Sequence, residues 1–193
     1  YKLQLDLQRE VLENFGTHFD TWFSERSLYE NNFFNHTLDK LKSNGHVYEE
    51  EGAVWLRTTD FGDDKDRVMI KSDGSFAYFA SDSAYYISKR ERGFNLCIYM
   101  LGADHHGYVG RIKAIAACAG DDPEKDIEVL IGQMVKIIEG GQELKLSKRA
   151  GTIITLEELV EKVGIDAARY TLIRYPTDTP MVMDVDLLKK NTN

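Results

Sequence analysis

The feature that most constrains the fold is a strand-length apolar run joined by a short glycine turn to a helical pattern. Residues 96–101 read LCIYML. Gly102-Ala103-Asp104 then turns the chain, and over 106–119 Val109, Ile112, Lys113 and Ala116 are spaced for one helix face. Asp121-Asp122-Pro123 breaks that helix, and 129–138 is a second apolar run rich in β-branched residues. Strand, helix, strand with short turns is a βαβ unit, whose parallel crossover is right-handed in nearly all cases. The predicted class is therefore α/β with a parallel, Rossmann-like sheet. Ligands of such sheets collect beyond the carboxyl ends of the strands. Here those ends are residues 102–106 and the segment after 138.

Composition narrows what this unit can do. Of 193 residues 42% are hydrophobic, including ten Tyr, nine Phe and two Trp, which excludes a disordered chain. No apolar run approaches the roughly 18 residues of a membrane-spanning helix. Cys97 and Cys118 both sit in apolar stretches and read as buried thiols of a reducing compartment, so a cytoplasmic protein is expected. The net charge of −8 opposes a sequence-independent nucleic-acid coat. The charge is uneven, however: −6 over residues 1–70, zero over 71–150 and −2 over 151–193. An anionic ligand meets least repulsion in the middle.

The remaining elements follow from spacing. Leu3, Leu7, Val11 and Phe15 predict an amphipathic helix ended by Gly16; residues 19–23 predict a short strand. Phe34, Leu38 and Leu41 predict another helix. Residues 47–48 and 53–57 form one predicted hairpin, and 67–71 with 76–79 form a second across Ser72-Asp73-Gly74. Thr155-Leu156-Glu157-Glu158 is a capping box, Gly164 closes that helix, and Asp166 is expected to cap the next. The expected organisation is a lobe of helices and hairpins over 1–71, the second half of a nucleotide-binding α/β domain over 72–154, and a helical appendage over 155–193.

Three segments could carry chemistry. Residues 143–151 (ELKLSKRAG) follow Gly140-Gly141 and combine Lys145, Ser147, Lys148 and Arg149, a composition for gripping a polyanion, although a solvated basic loop has the same composition. Residues 102–108 (GADHHGY) place Asp104 at a helix N-terminus, where it could equally be a plain cap. Neighbouring His105 and His106 point about 100° apart on a helix, which makes joint metal binding awkward, so no metal site is expected. Tyr78 and Asp82 are four apart at a strand-to-helix junction. A carboxylate with a phenol suits a planar guanidinium, though a core aromatic and a helix cap would use the same residues.

Several of these segments together resemble one family. Lys145-Leu146-Ser147-Lys148 resembles the KMSKS signature of class I aminoacyl-tRNA synthetases, with Leu for Met and Arg149 for the final Ser. Gly102, Asp104 and His105 match the G-x-D-H pattern of the same class. Residues 22–29 (WFSERSLY), 55–59 (WLRTT), 61–68 (FGDDKDRV) and 102–108 look like arginyl-tRNA synthetase, and the similarity covers essentially the whole chain. The resemblance implies that Tyr78 and Asp82 bind a substrate guanidinium and that Gly102, Asp104 and His105 face ribose and amino acid. It further implies that backbone atoms of Gln133, Met134 and Val135 lie near adenine. Lys148, assisted by Lys145, would stabilise the triphosphate as adenylate forms. ATP with its Mg²⁺, arginine and tRNA are the implied ligands, with no protein-bound metal. No role follows for the WFSERS and FGDDKD segments beyond structure or an inserted lobe.

The class needs a second signature, HIGH, and none of His18, His36, His46, His105 or His106 has His or Asn three residues on. The resemblance therefore implies the second half of a catalytic domain, cut from a longer protein and inactive alone, with an anticodon-binding domain beyond residue 193. Two alternatives stay open. One is a non-catalytic arginine- or tRNA-binding module, which would keep Tyr78 and Asp82 without needing Lys148. The other is a DHH-type metal phosphoesterase, suggested by Asp104-His105-His106, which should also carry an early D-x-D metal motif; Asp64-Lys65-Asp66 is a bare D-x-D, in a setting that matches the synthetase.

Overall fold

The computed structural model describes residues 2–144 and 154–190. The chain divides into two compact units, one formed by Phe23–Ile131 and the other by Tyr1–Trp22 with Gly132–Asn193. The expected boundary at 71/72 falls inside the first unit.

The unit Phe23–Ile131 opens on a short helix that the sequence expectation lacked, α2 (Arg26–Glu30); α1 (Lys2–Asn14) belongs to the other unit. Then come α3 (Phe33–Ser43) and an antiparallel sheet of β1 (Val47–Glu50), β2 (Ala53–Leu56) and β3 (Arg67–Ile70) in that order. The predicted first hairpin is present, with Tyr48 opposite Trp55. The second is not. Phe76 makes only an isolated bridge to Ile70, and the 14-residue helix α4 (Tyr78–Glu91) begins where the second strand was expected. The aromatics that suggested a strand serve the core instead: Phe79 is buried, and Phe76 packs on Phe34 with ring centres 4.5 Å apart.

The strand–helix–strand pattern is realised as β4 (Cys97–Gly102), a 3-10 helix Ala103–Tyr108, α5 (Val109–Cys118) and β5 (Ile127–Gly132), with β4 and β5 paired. Cys97 N–H donates to Asp126 O at 2.9 Å at the start of that pairing. Burying Ile112, Ile115, Ala116 and Cys118 of α5 with Tyr86 and Ile87 of α4 forms one core, which also takes in Leu41, Leu56 and Cys97. Full burial of each large aliphatic contributes roughly 1.5–3 kcal/mol. Both cysteines are free and buried, and burial pushes the Cys118 thiol up to about 12.

The second apolar run is two strands rather than one. β5 ends at Gly132, and β6 (Val135–Glu139) begins a different sheet, in the other unit. Gln133 and Met134 separate them, a polar–apolar step too short to be seen as a break by periodicity. β6 pairs antiparallel with β7 (Gln142–Glu143) and parallel with β8 (Met181–Asp184), with Val135 against Met181. The expected appendage is thus not purely helical. It contains α6 (Leu156–Val163), α7 (Ile165–Ile173), β8 and α8 (Val185–Lys190).

Thr155 and Glu158 close the predicted capping box, with Glu158 N–H to Thr155 Oγ1 at 3.1 Å and Thr155 N–H to Glu158 Oε2 at 2.8 Å. Gly164, at φ 81°, ends α6 and also caps α7, so Asp166 stands in the first turn of α7 rather than at its cap. Residues 19–23 form no strand. Phe19 instead packs edge-on against Trp22, and Arg9 of α1 lies 5.0 Å over the Trp22 ring.

Candidate functional site

The guanidinium candidates stand on α4. Tyr78 is its first residue and is 95% exposed, and Asp82 lies one turn on and is half-buried. Positions four apart share a helix face, so the phenol and the carboxylate are neighbours on one stripe. Asp82 Oδ2 accepts a hydrogen bond from Tyr108 Oη, the last residue of the 3-10 helix that carries Asp104 and His105. The structure therefore brings Asp82 and the GADHHGY segment together, through a residue given no role by the sequence, while Tyr78 stays exposed at the start of α4. No local sequence signal marks Tyr108, because its bond to Asp82 spans 26 residues.

Burial pushes the Asp82 carboxyl up from its ordinary value, while the Tyr108 hydrogen bond favours its charged form. The Glu25 carboxylate pushes it further up, and the Arg111 and Lys89 cations pull it down. Glu25 belongs to the WFSERS segment, which gains a physical context here. Phe23 stacks on Tyr85 of α4 with ring centres 4.5 Å apart, and Arg92 lies 5.4 Å over Phe23.

Further along the Asp82 face, Lys89 Nζ sits 4.0 Å from the Tyr85 ring centre and 3.8 Å from that of Tyr99. Desolvation lowers this amine to about 8. Asp82, Tyr85 and Lys89 follow the i, i+3, i+7 spacing of one face, which was legible in the sequence.

Gly102 is extended, at φ −72°, and its value is space. A Cβ there would stand 2.6 Å from Asp104 Oδ1. Asp104 and His105 are both exposed, with His105 Nε2 3.6 Å from Asp104 Oδ2. Gln133, Met134 and Val135 belong to or adjoin β6 in the other unit. Gln133 N–H donates to Thr177 O at 2.8 Å, and Met134 O accepts from Met181 N–H at 3.4 Å. Lys145, Ser147 and Lys148 lie outside the described residues.

The FGDDKD segment is a folded clamp. Asp63 holds Arg67, and Asp66 accepts from Thr59 N–H at 3.0 Å, Thr59 Oγ1 at 2.7 Å and Tyr48 Oη at 3.0 Å. Asp64 also pairs with Arg67. The carboxylates that a metal phosphoesterase would present to its ion are thus engaged within the protein. Among the described residues no group of three His, Cys, Asp or Glu side chains could hold a metal. No helix among them is long and apolar enough to cross a membrane.

The arginine–tRNA ligases of Frankia alni and Paenarthrobacter aurescens are 55% and 54% identical over 191 and 193 residues, covering 99% and 100% of this chain. The chain spans about a third of their length, 35% and 34%. A Campylobacter jejuni structure assigned as an arginyl-tRNA synthetase superposes with a TM-score of 0.87 and 37% identity, over 96% of this chain and 40% of its own. Mycobacterium tuberculosis methionyl-tRNA synthetase superposes with a TM-score of 0.70 at 12% identity, over 97% of this chain and 54% of its own, a likeness of fold alone. The family model described as tRNA synthetases class I (R), catalytic domain, matches residues 2–191, and the chain belongs to that family.

Proposed function

We propose that the chain is the arginine-recognising and KMSKS-bearing portion of an arginine–tRNA ligase. In the intact enzyme, arginine and ATP give arginyl-adenylate and pyrophosphate, and arginine then passes to the tRNA 3′ end. The observation that carries this reading is the α4 stripe: Tyr78 and Asp82 one turn apart, with Asp82 tied to the segment that bears Asp104 and His105. A guanidinium offers a planar fork of donors to a carboxylate, and a neighbouring phenol supplies a further acceptor and a ring wall.

The substrate carboxylate attacks the α-phosphate, so the protein's work is positioning and charge neutralisation. Asp82 orients arginine through its side chain, with His105 at the amino-acid end. Gly102 and Asp104 are assigned to the ribose, and the backbone of Gln133, Met134 and Val135 to adenine. Lys148 and Lys145 are assigned to the phosphates, with Ser147 between them. Mg²⁺ enters with ATP, held chiefly by its phosphates. Arginine, ATP and tRNA are the proposed partners, in the cytoplasm. The 193 residues contain no HIGH sequence, so they are proposed to be inactive by themselves.

The test is ATP–pyrophosphate exchange by the intact protein with tRNA present, comparing arginine with lysine and citrulline. Exchange that depends on arginine is expected. Exchange driven equally by lysine or by the uncharged citrulline would overturn the assignment.

A further inference from the structure

We infer that Tyr108 is a positioning residue for arginine recognition: its hydroxyl, by holding Asp82 Oδ2, fixes the plane in which the carboxylate meets the guanidinium. This rests on the reading of Asp82 as the guanidinium ligand. Bidentate recognition of a planar fork requires a carboxylate held in one orientation, whereas an aspartate on a helix surface rotates freely about χ2.

Two observations show that Tyr108 is built to act as a fixed point. It sits at the junction between the 3-10 helix and α5, so its backbone is anchored by regular structure on both sides. Its ring is covered by Arg111, whose guanidinium carbon is 4.7 Å from the ring centre. The phenol is also pushed up to about 12, by burial and then by the Asp82 carboxylate, so it remains a donor at any physiological pH.

The arrangement has a second consequence. The hydroxyl favours the charged form of Asp82 against burial, and the other charged groups facing that carboxylate are Glu25, before α2, Arg111 of α5 and Lys89 of α4. Removing the hydroxyl deprives Asp82 of the only hydrogen bond among these influences. Tyr108 thus links the GADHHGY segment to the ionisation of the arginine ligand as well as to its aim.

The experiment is Tyr108→Phe in the intact enzyme, alone and combined with Asp82→Asn, with ATP–pyrophosphate exchange followed from pH 5 to 9. The hydrogen bond engages a charged group, so loss of the hydroxyl should raise the arginine KM about tenfold while kcat changes much less. The acidic limb of kcat/KM for arginine should move to higher pH, which a purely structural role would not produce. In the Asp82→Asn background the same substitution should change arginine KM little.

An unchanged KM and acidic limb in Tyr108→Phe, with Asp82→Asn impaired, would overturn the positioning role alone. An equal effect of Tyr108→Phe in both backgrounds would also overturn it. An Asp82→Asn enzyme with normal arginine KM would instead overturn the reading of Asp82. Tyr108→His, which keeps a ring and offers a ring N–H, serves if the Phe variant does not fold, and should recover arginine affinity partly; a variant no better than Tyr108→Leu would count against the role.

Discussion

Asp63 and Arg67 meet in a two-point ion pair, Arg67 Nε donating to Asp63 Oδ2 and Nη2 to Oδ1, both at 2.7 Å. The two side chains are 4% and 10% exposed, so this is a largely desolvated pair. It ties the loop after the 3-10 helix Thr58–Phe61 to the start of β3, and Thr58 Oγ1 closes the same loop on Lys65 O at 2.8 Å. The FGDDKD segment thereby has a structural purpose.

Asp63→Asn should cost the protein about 2 kcal/mol of stability at pH 7, because it removes the charge of the largely desolvated two-point partner and leaves Arg67 only the exposed Asp64 carboxylate. Burial alone would raise the Asp63 carboxyl, but the hydrogen bonds from Arg67 and from Asp64 N–H outweigh it and hold the carboxyl well below the carboxylate range. A depressed folded value contributes stability that is present above the unfolded value, near 4, and is lost as pH falls below it. Urea unfolding from pH 7 down to pH 3 should therefore show the gap between wild type and Asp63→Asn narrowing below about pH 4. Equal stabilities at pH 7 would contradict the clamp.

Lys89 predicts the opposite end of the pH scale. Burial between Tyr85 and Tyr99 lowers its amine to about 8, whereas an unfolded lysine titrates near 10.4. The unfolded chain therefore binds the extra proton between those values, and stability rises with pH there. Tyrosines titrate in the same range, so the informative quantity is wild type minus Lys89→Met. That difference should grow in favour of wild type from about pH 8 to pH 10, as measured by denaturant midpoints. A flat difference would place Lys89 in solvent.

For the KMSKS-like segment the expectation is kinetic. Lys148→Ala in the intact enzyme should lower kcat for exchange by roughly 100-fold or more, the usual scale for removing a group aimed at developing charge. The arginine KM should stay within about threefold. Single-turnover adenylate formation is the measurement. A loss expressed wholly in arginine KM would remove Lys148 from the phosphate end.

Much of this was readable in the residues, and the failures have physical causes. The α5 helix and the strand before it announced themselves through an unbroken apolar run and a 3.6-residue stripe. The capping box at Thr155 is a local bond and appeared as predicted. The strand expected at 76–79 failed because Tyr, Phe and Ala suit a strand or a helix core equally, and only packing against Phe34 and the three-stranded sheet decides. The split of 129–138 into β5 and β6 was invisible because both strands are apolar and only Gln133-Met134 intervene.

At the candidate site, Tyr78 and Asp82 were legible from spacing four, a relation within one helix. Tyr108 was not, since its bond to Asp82 spans 26 residues and depends on how α4 meets the 3-10 helix. Lys89 shares a helix face with Asp82, a spacing the sequence shows, whereas Glu25 acts on Asp82 by charge through space, which no sequence pattern encodes.

The central claim is that Asp82 is the carboxylate that recognises the substrate guanidinium. Asp82→Asn keeps the shape and removes the charge, so steady-state exchange with varied arginine and varied ATP isolates that charge. The account predicts an arginine KM raised at least about 30-fold, the scale of a charged bidentate contact, with the ATP KM within about twofold. An arginine KM equal to wild type would contradict it.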